Sequence, residues 1–312
     1  MILTGSKIVI LGAGHVGSHA ARALAERRVA ESIVLVDIVA EKAAAQAADI
    51  ADALSWPPNP VAVRSGSYAD CEDADITVVA IGKPREPGQT RLDLLGDSVR
   101  MVHELTDTLR AHRPGGLVIS ITNPCDIIAD CVRRGLGMDR SRVFGTGTLL
   151  DTARLRRVLS EQTGAARRDI EAWVLGEHGD SSMIPYSCLR ICGKPAAEAP
   201  GFDPASALER THGIGMDIIE GKGSTEFGIG QSLAWLAERI LSGEEAILPL
   251  SALLEGEYGL KGIHCGVPCR IDRHGIREIV TLPLTGDEMT ALKASATVLE
   301  RYTRMAEALL ND

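Results

Sequence analysis

The chain has 312 residues, 45% hydrophobic and 24% charged, which allows one large or two ordinary domains with ample core. Its net charge of −9 offers no basic face to nucleic acid or to an anionic membrane, so an anionic substrate must be held by local cations. Aromatics at 3% leave the core to Ala, Val, Leu and Ile, and no apolar run reaches the roughly 18 residues of a membrane span.

Strand and helix alternate through the first half. Lys7–Leu11 reads as an apolar strand, followed by a helix from His15 to about Arg28. A second strand at Ile33–Val36 leads into an Ala-rich helix from Val39 to about Leu54. Further strands are expected at Val61–Arg64, Ile76–Ile81 and Leu117–Ile121. Between the last two, a helix from Arg91 to Ala111 carries Leu92, Leu95, Val99, Val102 and Leu109 on one stripe. Continuous apolar runs joined by helices indicate a buried parallel sheet of the doubly wound, Rossmann type.

The second half reads differently. A helix from Thr148 to about Ser160 precedes two more, about Pro204–Glu220 and Glu226–Leu241. Short strands follow at Ala246–Leu250, Gly262–Ile271 and Arg277–Thr281, and a last helix runs from Gly286 to about Leu310. Helices and then strands, without alternation, predict an α+β domain. We place the boundary near Gly145, giving a doubly wound domain over 1–145 and an α+β domain over 146–312.

The opening residues enter a strand at once, with no export-type segment. Seven scattered cysteines, an odd number, fit free thiols in a reducing, cytoplasmic compartment. Cys265 and Cys269 form a lone C-x3-C pair with no second pair beside it. They read as small buried residues of a hairpin, and no metal site is expected.

Gly12-Ala-Gly14-His-Val-Gly17 leaves a strand and enters a helix. In such a turn the first glycine permits the bend, the second lets the backbone approach a pyrophosphate, and the third lets helix and strand pack closely. Asp37 ends the next strand twenty residues after Gly17, where a carboxylate accepts from ribose hydroxyls. It would repel a 2′-phosphate, and neither Ile38 nor Val39 offers a cation, so NAD is expected over NADP.

Four further segments carry polar chemistry. Gly82-Lys-Pro-Arg85-Glu-Pro-Gly-Gln-Thr-Arg91 is a Pro/Gly-rich loop with two arginines. Ile121-Thr-Asn123-Pro124 ends a sheet strand. Asp151-Thr-Ala-Arg154 places a carboxylate and a guanidinium on one helix face. Gly176-Glu-His178-Gly-Asp holds a histidine in a glycine-bounded turn.

Together with the glycine turn, these segments resemble the L-lactate/malate dehydrogenase family over nearly the whole chain, in the family's order and spacing. The resemblance implies an NAD-dependent enzyme moving a hydride to and from C2 of a small L-2-hydroxy acid. His178 would carry the proton, Asp151 would orient it, Arg154 would grip the C1 carboxylate, and Arg91 would polarise the C2 oxygen. Asn123 would contact substrate and nicotinamide ribose, while Thr225 and Ile229 would wall the substrate pocket and nicotinamide face. The loop from Gly82 to Gly96, which carries Arg91, would act as a lid.

In the family, an arginine six residues before the loop's catalytic arginine goes with malate and oxaloacetate, and a glutamine goes with lactate. Arg85 therefore implies malate. GTGTLLDTAR, GEHGDS and Thr225 look more like the lactate and branched 2-hydroxyacid members, so that reading stays open. The family's sugar-bisphosphate-activated members use an arginine and a histidine between subunits. Arg156 fills the first position but Glu171 the second, which implies no such activation. A homotetramer or homodimer is implied. A non-catalytic NAD sensor would keep the glycines and Asp37 without needing His178, Asp151, Arg154 and Arg91 together.

Overall fold

The computed structural model describes residues 5–82 and 91–311; for residues 91–94 and 311 the backbone alone is described. The parallel strands are β1 (Lys7–Leu11), β2 (Ser32–Val36), β3 (Ala62–Ser65), β4 (Ile76–Val79), β5 (Leu117–Ser120) and β6 (Val143–Gly145). Between them run helices α1 (His15–Glu26), α2 (Ala40–Ala53), α3 (Arg91–Ala111) and α4 (Cys125–Leu136). The central strands β4 and β5 are buried at every residue because helices cover both sheet faces. Edge strand β3 alternates exposed and half-buried residues, as one neighbour and one face would dictate.

Beyond β6 the chain forms α5 (Leu149–Thr163), then the short strands β7 (Ile170–Glu171), β8 (Arg190–Ile191) and β9 (Lys194–Pro195). Helices α6 (Pro204–Lys222) and α7 (Phe227–Ser242) follow. The Asp203 carboxylate accepts from Ser206 N–H to cap α6 with Pro204 at its first turn. Gly164, Gly223 and Gly243 end α5, α6 and α7 in the left-handed conformation. The antiparallel strands β10 (Ala246–Glu255), β11 (Lys261–Asp272) and β12 (Gly275–Ile279) precede the closing helix α8 (Gly286–Asn311).

These late strands make no sheet of their own. Ser251 of β10 pairs antiparallel with Gly145 of β6, so one nine-stranded sheet runs in the order β12-β11-β10-β6-β5-β4-β1-β2-β3. A separate three-stranded sheet takes β7, β8 and β9. The sequence reading contains neither α4 nor β6. Buried Asp126 and Asp130 interrupt the apolar face of α4, and three residues are too few for a strand pattern to show. Cys265 and Cys269 are free thiols buried in β11. Among the described residues, no helix is long and apolar enough to cross a membrane.

Candidate active site

The glycine turn joins β1 to α1. Gly12 has φ +106°, and a Cβ there would lie 2.4 Å from the Ala80 carbonyl oxygen. A Cβ on Gly17 would lie 1.9 Å from the Gly12 carbonyl oxygen, so this glycine is demanded by the packing of helix on turn. Gly14 is different. A Cβ there would meet nothing nearer than Lys42 Nζ at 3.9 Å. Internal packing does not account for Gly14; an outside group approaching the backbone at the N-terminus of α1 does, and a dinucleotide's pyrophosphate fits that cradle.

Asp37 stands just past β2. Its Oδ2 accepts from Ala13 N–H at 2.7 Å and its Oδ1 from Val39 N–H at 3.0 Å. Burial pushes this carboxyl up, but the two N–H donors and Lys42 outweigh it and hold the group below its usual value. A cleft of about 400 Å³ beside it is lined by Gly14, Asp37, Ile38, Tyr68 and Leu105. Lys42, with Nζ 3.5 Å from Asp37 Oδ2, corrects the expectation of a cation-free ribose site. The first turn of α2 folds it back over the strand end, beyond the two residues that sequence reasoning considered.

The second group of residues gathers around His178. Asp151 lies in the first turn of α5, and Arg154 follows one turn later. His178 Nδ1 lies 2.6 Å from Asp151 Oδ2, and Arg154 Nη1 donates to Asp151 Oδ1 at 3.2 Å. The histidine's turn is tied down on several sides. Gly176 and Gly266 of β11 exchange two backbone hydrogen bonds at 2.9 and 2.8 Å. Glu177 N–H donates to Ser295 Oγ of α8 at 2.8 Å, and His178 N–H donates to Asp126 Oδ2 of α4 at 2.8 Å. Gly176 has φ +97°, and a Cβ on it would fall 2.4 Å from Ser295 Oγ, so only glycine fits.

The electrostatics follow from this geometry. The Asp151 carboxylate pushes His178 up to about 9; Asp126 adds to that, while burial and Arg154 oppose it. Burial pushes Asp151 up, yet His178 and Arg154 together hold it below the usual carboxylate value. The imidazole is therefore poised to keep a proton at neutral pH.

A small cavity of about 70 Å³ is lined by Asn123, Arg154, His178, Thr225 and Ile229, together with Leu150. The structure thus brings five residues named from the sequence to one place, with Asp151 behind His178. Arg85 lies outside the described residues, as does the side chain of Arg91 and most of the loop expected as a lid. A wider cleft of about 870 Å³ near Ser6, Arg142 and Arg273, at the opposite strand ends, has none of Asn123, Arg154, His178, Thr225 and Ile229 in its lining. Gly215 of α6 leaves room for Arg154, since a Cβ there would stand 3.2 Å from its Nη1. Asp126 is the residue that sequence reasoning missed. It follows Asn123 by three positions, and nothing in the pattern links it to His178, 52 residues away.

Residues 6–145 match the family model for the lactate/malate dehydrogenase NAD binding domain. Residues 148–309 match the model for the lactate/malate dehydrogenase alpha/beta C-terminal domain. The chain is 36% identical over 311 residues to L-lactate dehydrogenase 1 of Staphylococcus aureus, covering 98% of each. Among solved structures, it is similar to the ligands-bound form of the minor L-lactate dehydrogenase from Enterococcus mundtii. That match has a TM-score of 0.93 and 35% identity over 97% of this chain and 98% of that one. It is also similar to the malate dehydrogenase from Salinibacter ruber, with a TM-score of 0.89 and 29% identity over 98% and 99%. A glycine turn open at the N-terminus of α1, a carboxylate at the end of the next strand and a histidine–aspartate pair beside an arginine agree with these matches. The chain belongs to the lactate/malate dehydrogenase family and is an NAD-dependent 2-hydroxyacid dehydrogenase.

Proposed function

We propose that the chain interconverts a small L-2-hydroxy acid and its 2-keto acid, with His178 carrying the proton. The observation that carries this reading is the 2.6 Å His178–Asp151 pair beside Arg154 in one small cavity. NAD, when bound, supplies the hydride acceptor or donor. Gly12, Gly14, Gly17 and Asp37 would hold its pyrophosphate and ribose; Asn123 and Ile229 would meet the nicotinamide end. We assign most of that holding role to residues 1–145 and the proton carrier and carboxylate grip to residues 146–312, with Arg85, Arg91 and Asn123 reaching the substrate from the first domain and Ile229 meeting the cofactor from the second.

Asp151 accepts from His178 Nδ1–H, which fixes the tautomer and leaves Nε2 to exchange a proton with the C2 oxygen. Arg154 grips the C1 carboxylate through a planar two-pronged contact that an ammonium cannot make. Arg91 steadies negative charge on the C2 oxygen. Asn123 and Thr225 wall the site.

For the acid itself, Arg85 supports malate and oxaloacetate. A second cation offers a partner to a second carboxylate, and at about 4 Å and an effective dielectric of about 20 the attraction is roughly 4 kcal/mol. The second reading is L-lactate, supported by the names of the relatives at 36% and 35% identity. The ratio of kcat/KM for oxaloacetate and pyruvate decides between them. The dicarboxylate reading expects the ratio to exceed about 10² and to collapse in Arg85→Gln; a wild-type preference for pyruvate rejects it.

Two further results are expected. In Asp37→Ala the ribose acceptor is lost and Lys42 is freed, so kcat/KM with NAD falls about tenfold while that with NADP rises. Steady-state kinetics with both cofactors checks this, and an unchanged NADP/NAD ratio refutes it. Fructose 1,6-bisphosphate should leave activity flat up to millimolar levels. Arg156, which burial pushes down, is already faced by the Glu171 carboxylate, and a phosphate would meet that negative charge. A sigmoidal or activated titration would contradict it. We further propose that the enzyme works as a homotetramer or homodimer in the cytoplasm.

A further inference from the structure

We propose that Asp126 is a positioning residue for His178: a second carboxylate that anchors the histidine's main chain while its charge acts on the ring. This rests on the reading of His178 as the proton carrier.

Asp126 is the second residue of α4 and only 2% exposed. Its Oδ2 takes the His178 N–H at 2.8 Å. Its Oδ1 is buried and makes no hydrogen bond of good geometry; the Ser251 hydroxyl is buried without a well-aligned partner either, yet lies close enough to favour the charged carboxylate. Anchoring a backbone N–H does not require an acid. An amide oxygen would accept the same bond without the cost of burying a charge. The carboxylate with an idle oxygen is therefore unexplained by the anchor alone.

Its surroundings supply the second use. His178 is faced by Asp151 and Arg154 from α5 and by Asp126 from α4. Asp126 is faced by Glu177 on the histidine's own turn, by Ser251 of β10, and by the thiols of Cys125 and Cys265. Burial, with Glu177, outweighs the rest and holds its carboxyl above the usual carboxylate value, while Ser251, the His178 N–H and the imidazolium pull it back toward the charged form. Among these described neighbours, the imidazolium is the one cation that favours its charged form. The coupling is reciprocal, so an ionised Asp126 helps His178 keep its proton against Arg154. The first turn of a 12-residue helix also favours a negative charge at this position.

The test uses Asp126→Asn and Asp126→Ala in the full chain, with two readouts. One is the His178 titration by NMR on protein labelled at histidine Cε1, without cofactor, assigned with His178→Asn. The other is the pH profile of kcat/KM for keto-acid reduction. In Asp126→Asn both midpoints should move down by about 0.5–1 unit, with the plateau below them kept within about threefold. Asp126→Ala, which also loses the anchor, should lower that plateau further. An Asp126→Asn protein that titrates like wild type overturns the proposal, because a merely structural acid would leave the midpoint in place. Should that variant not fold, Ser251→Ala takes its place: it weakens the ionised form of Asp126, and the midpoint should fall in the same direction by less. No movement there overturns the proposal equally. If wild-type reduction shows no limb near pH 9 and His178→Asn stays active, it is the His178 assignment that has failed instead.

Discussion

Keto-acid reduction by His178→Asn is expected to fall by about 10²–10⁴-fold in kcat/KM, the range that a positioned proton donor contributes. Asparagine keeps the size and polarity of the side chain but has no proton to give near neutral pH. In the wild type, Asp151 holds the imidazole's proton up to about 9, so reduction should run on a plateau at neutral pH and lose about tenfold per unit above that value. Oxidation of the hydroxy acid needs the neutral ring and should rise over the same interval. The same shift bears on stability. A histidine whose folded value lies above its ordinary 6.5 stabilises the fold fully below 6.5, and that contribution is lost as pH rises through about 9. The gap in stability between wild type and His178→Asn should therefore be widest below pH 6.5, on the order of 3 kcal/mol, and close by about pH 9.5. Denaturant titrations across that interval measure it. A variant within tenfold of wild-type reduction would remove His178 from the chemistry.

The second large effect concerns Arg154. Arg154→Leu should lower kcat/KM for any 2-keto acid by about 10²–10⁴-fold, since a buried carboxylate–guanidinium pair broken on one side costs roughly 3–5 kcal/mol. The loss should appear in KM as well as kcat, because the carboxylate is bound in ground state and transition state alike. Arg154→Lys keeps the charge but not the fork, and should sit between the two. Cofactor affinity is the control. Gly12, Gly14 and Asp37 line a cleft to which Arg154 does not contribute, so the dissociation constant for NADH should stay within about twofold. Equal losses in NADH binding and catalysis would mean that the substitution damaged the fold. Gly215→Ala offers a gentler version: the added methyl crowds Nη1 at 3.2 Å and should raise KM while leaving the helix intact.

How far the sequence could be read depended on whether a feature was local. Lys7–Leu11 and Ile76–Val79 announce buried strands because both sheet faces demand apolar side chains. Gly12 and Gly17 are visible because sterics allow nothing else there. Asp151 and Arg154 show as a pair because one helical turn separates them. The parts that escaped depend on long-range folding. Asp126 sits in an acid-bearing helix start that looks solvent-facing until β10 and the His178 turn are packed over it. Lys42 reaches Asp37 only through the turn between β2 and α2. The merging of the late strands into the first sheet hangs on one residue pair, Gly145 with Ser251, and a single pairing leaves no periodic trace.

That merging has a mechanical outcome. Asp37 follows one strand of the sheet, and the turn bearing His178 is stitched to another through Gly176 and Gly266. The group assigned to the cofactor and the group assigned to the proton thus stand on one sheet. A hinge between the halves would have to open the Gly145–Ser251 pairing, so we expect the spacing of these two groups to be held by the backbone, with adaptation to a given acid left to side chains.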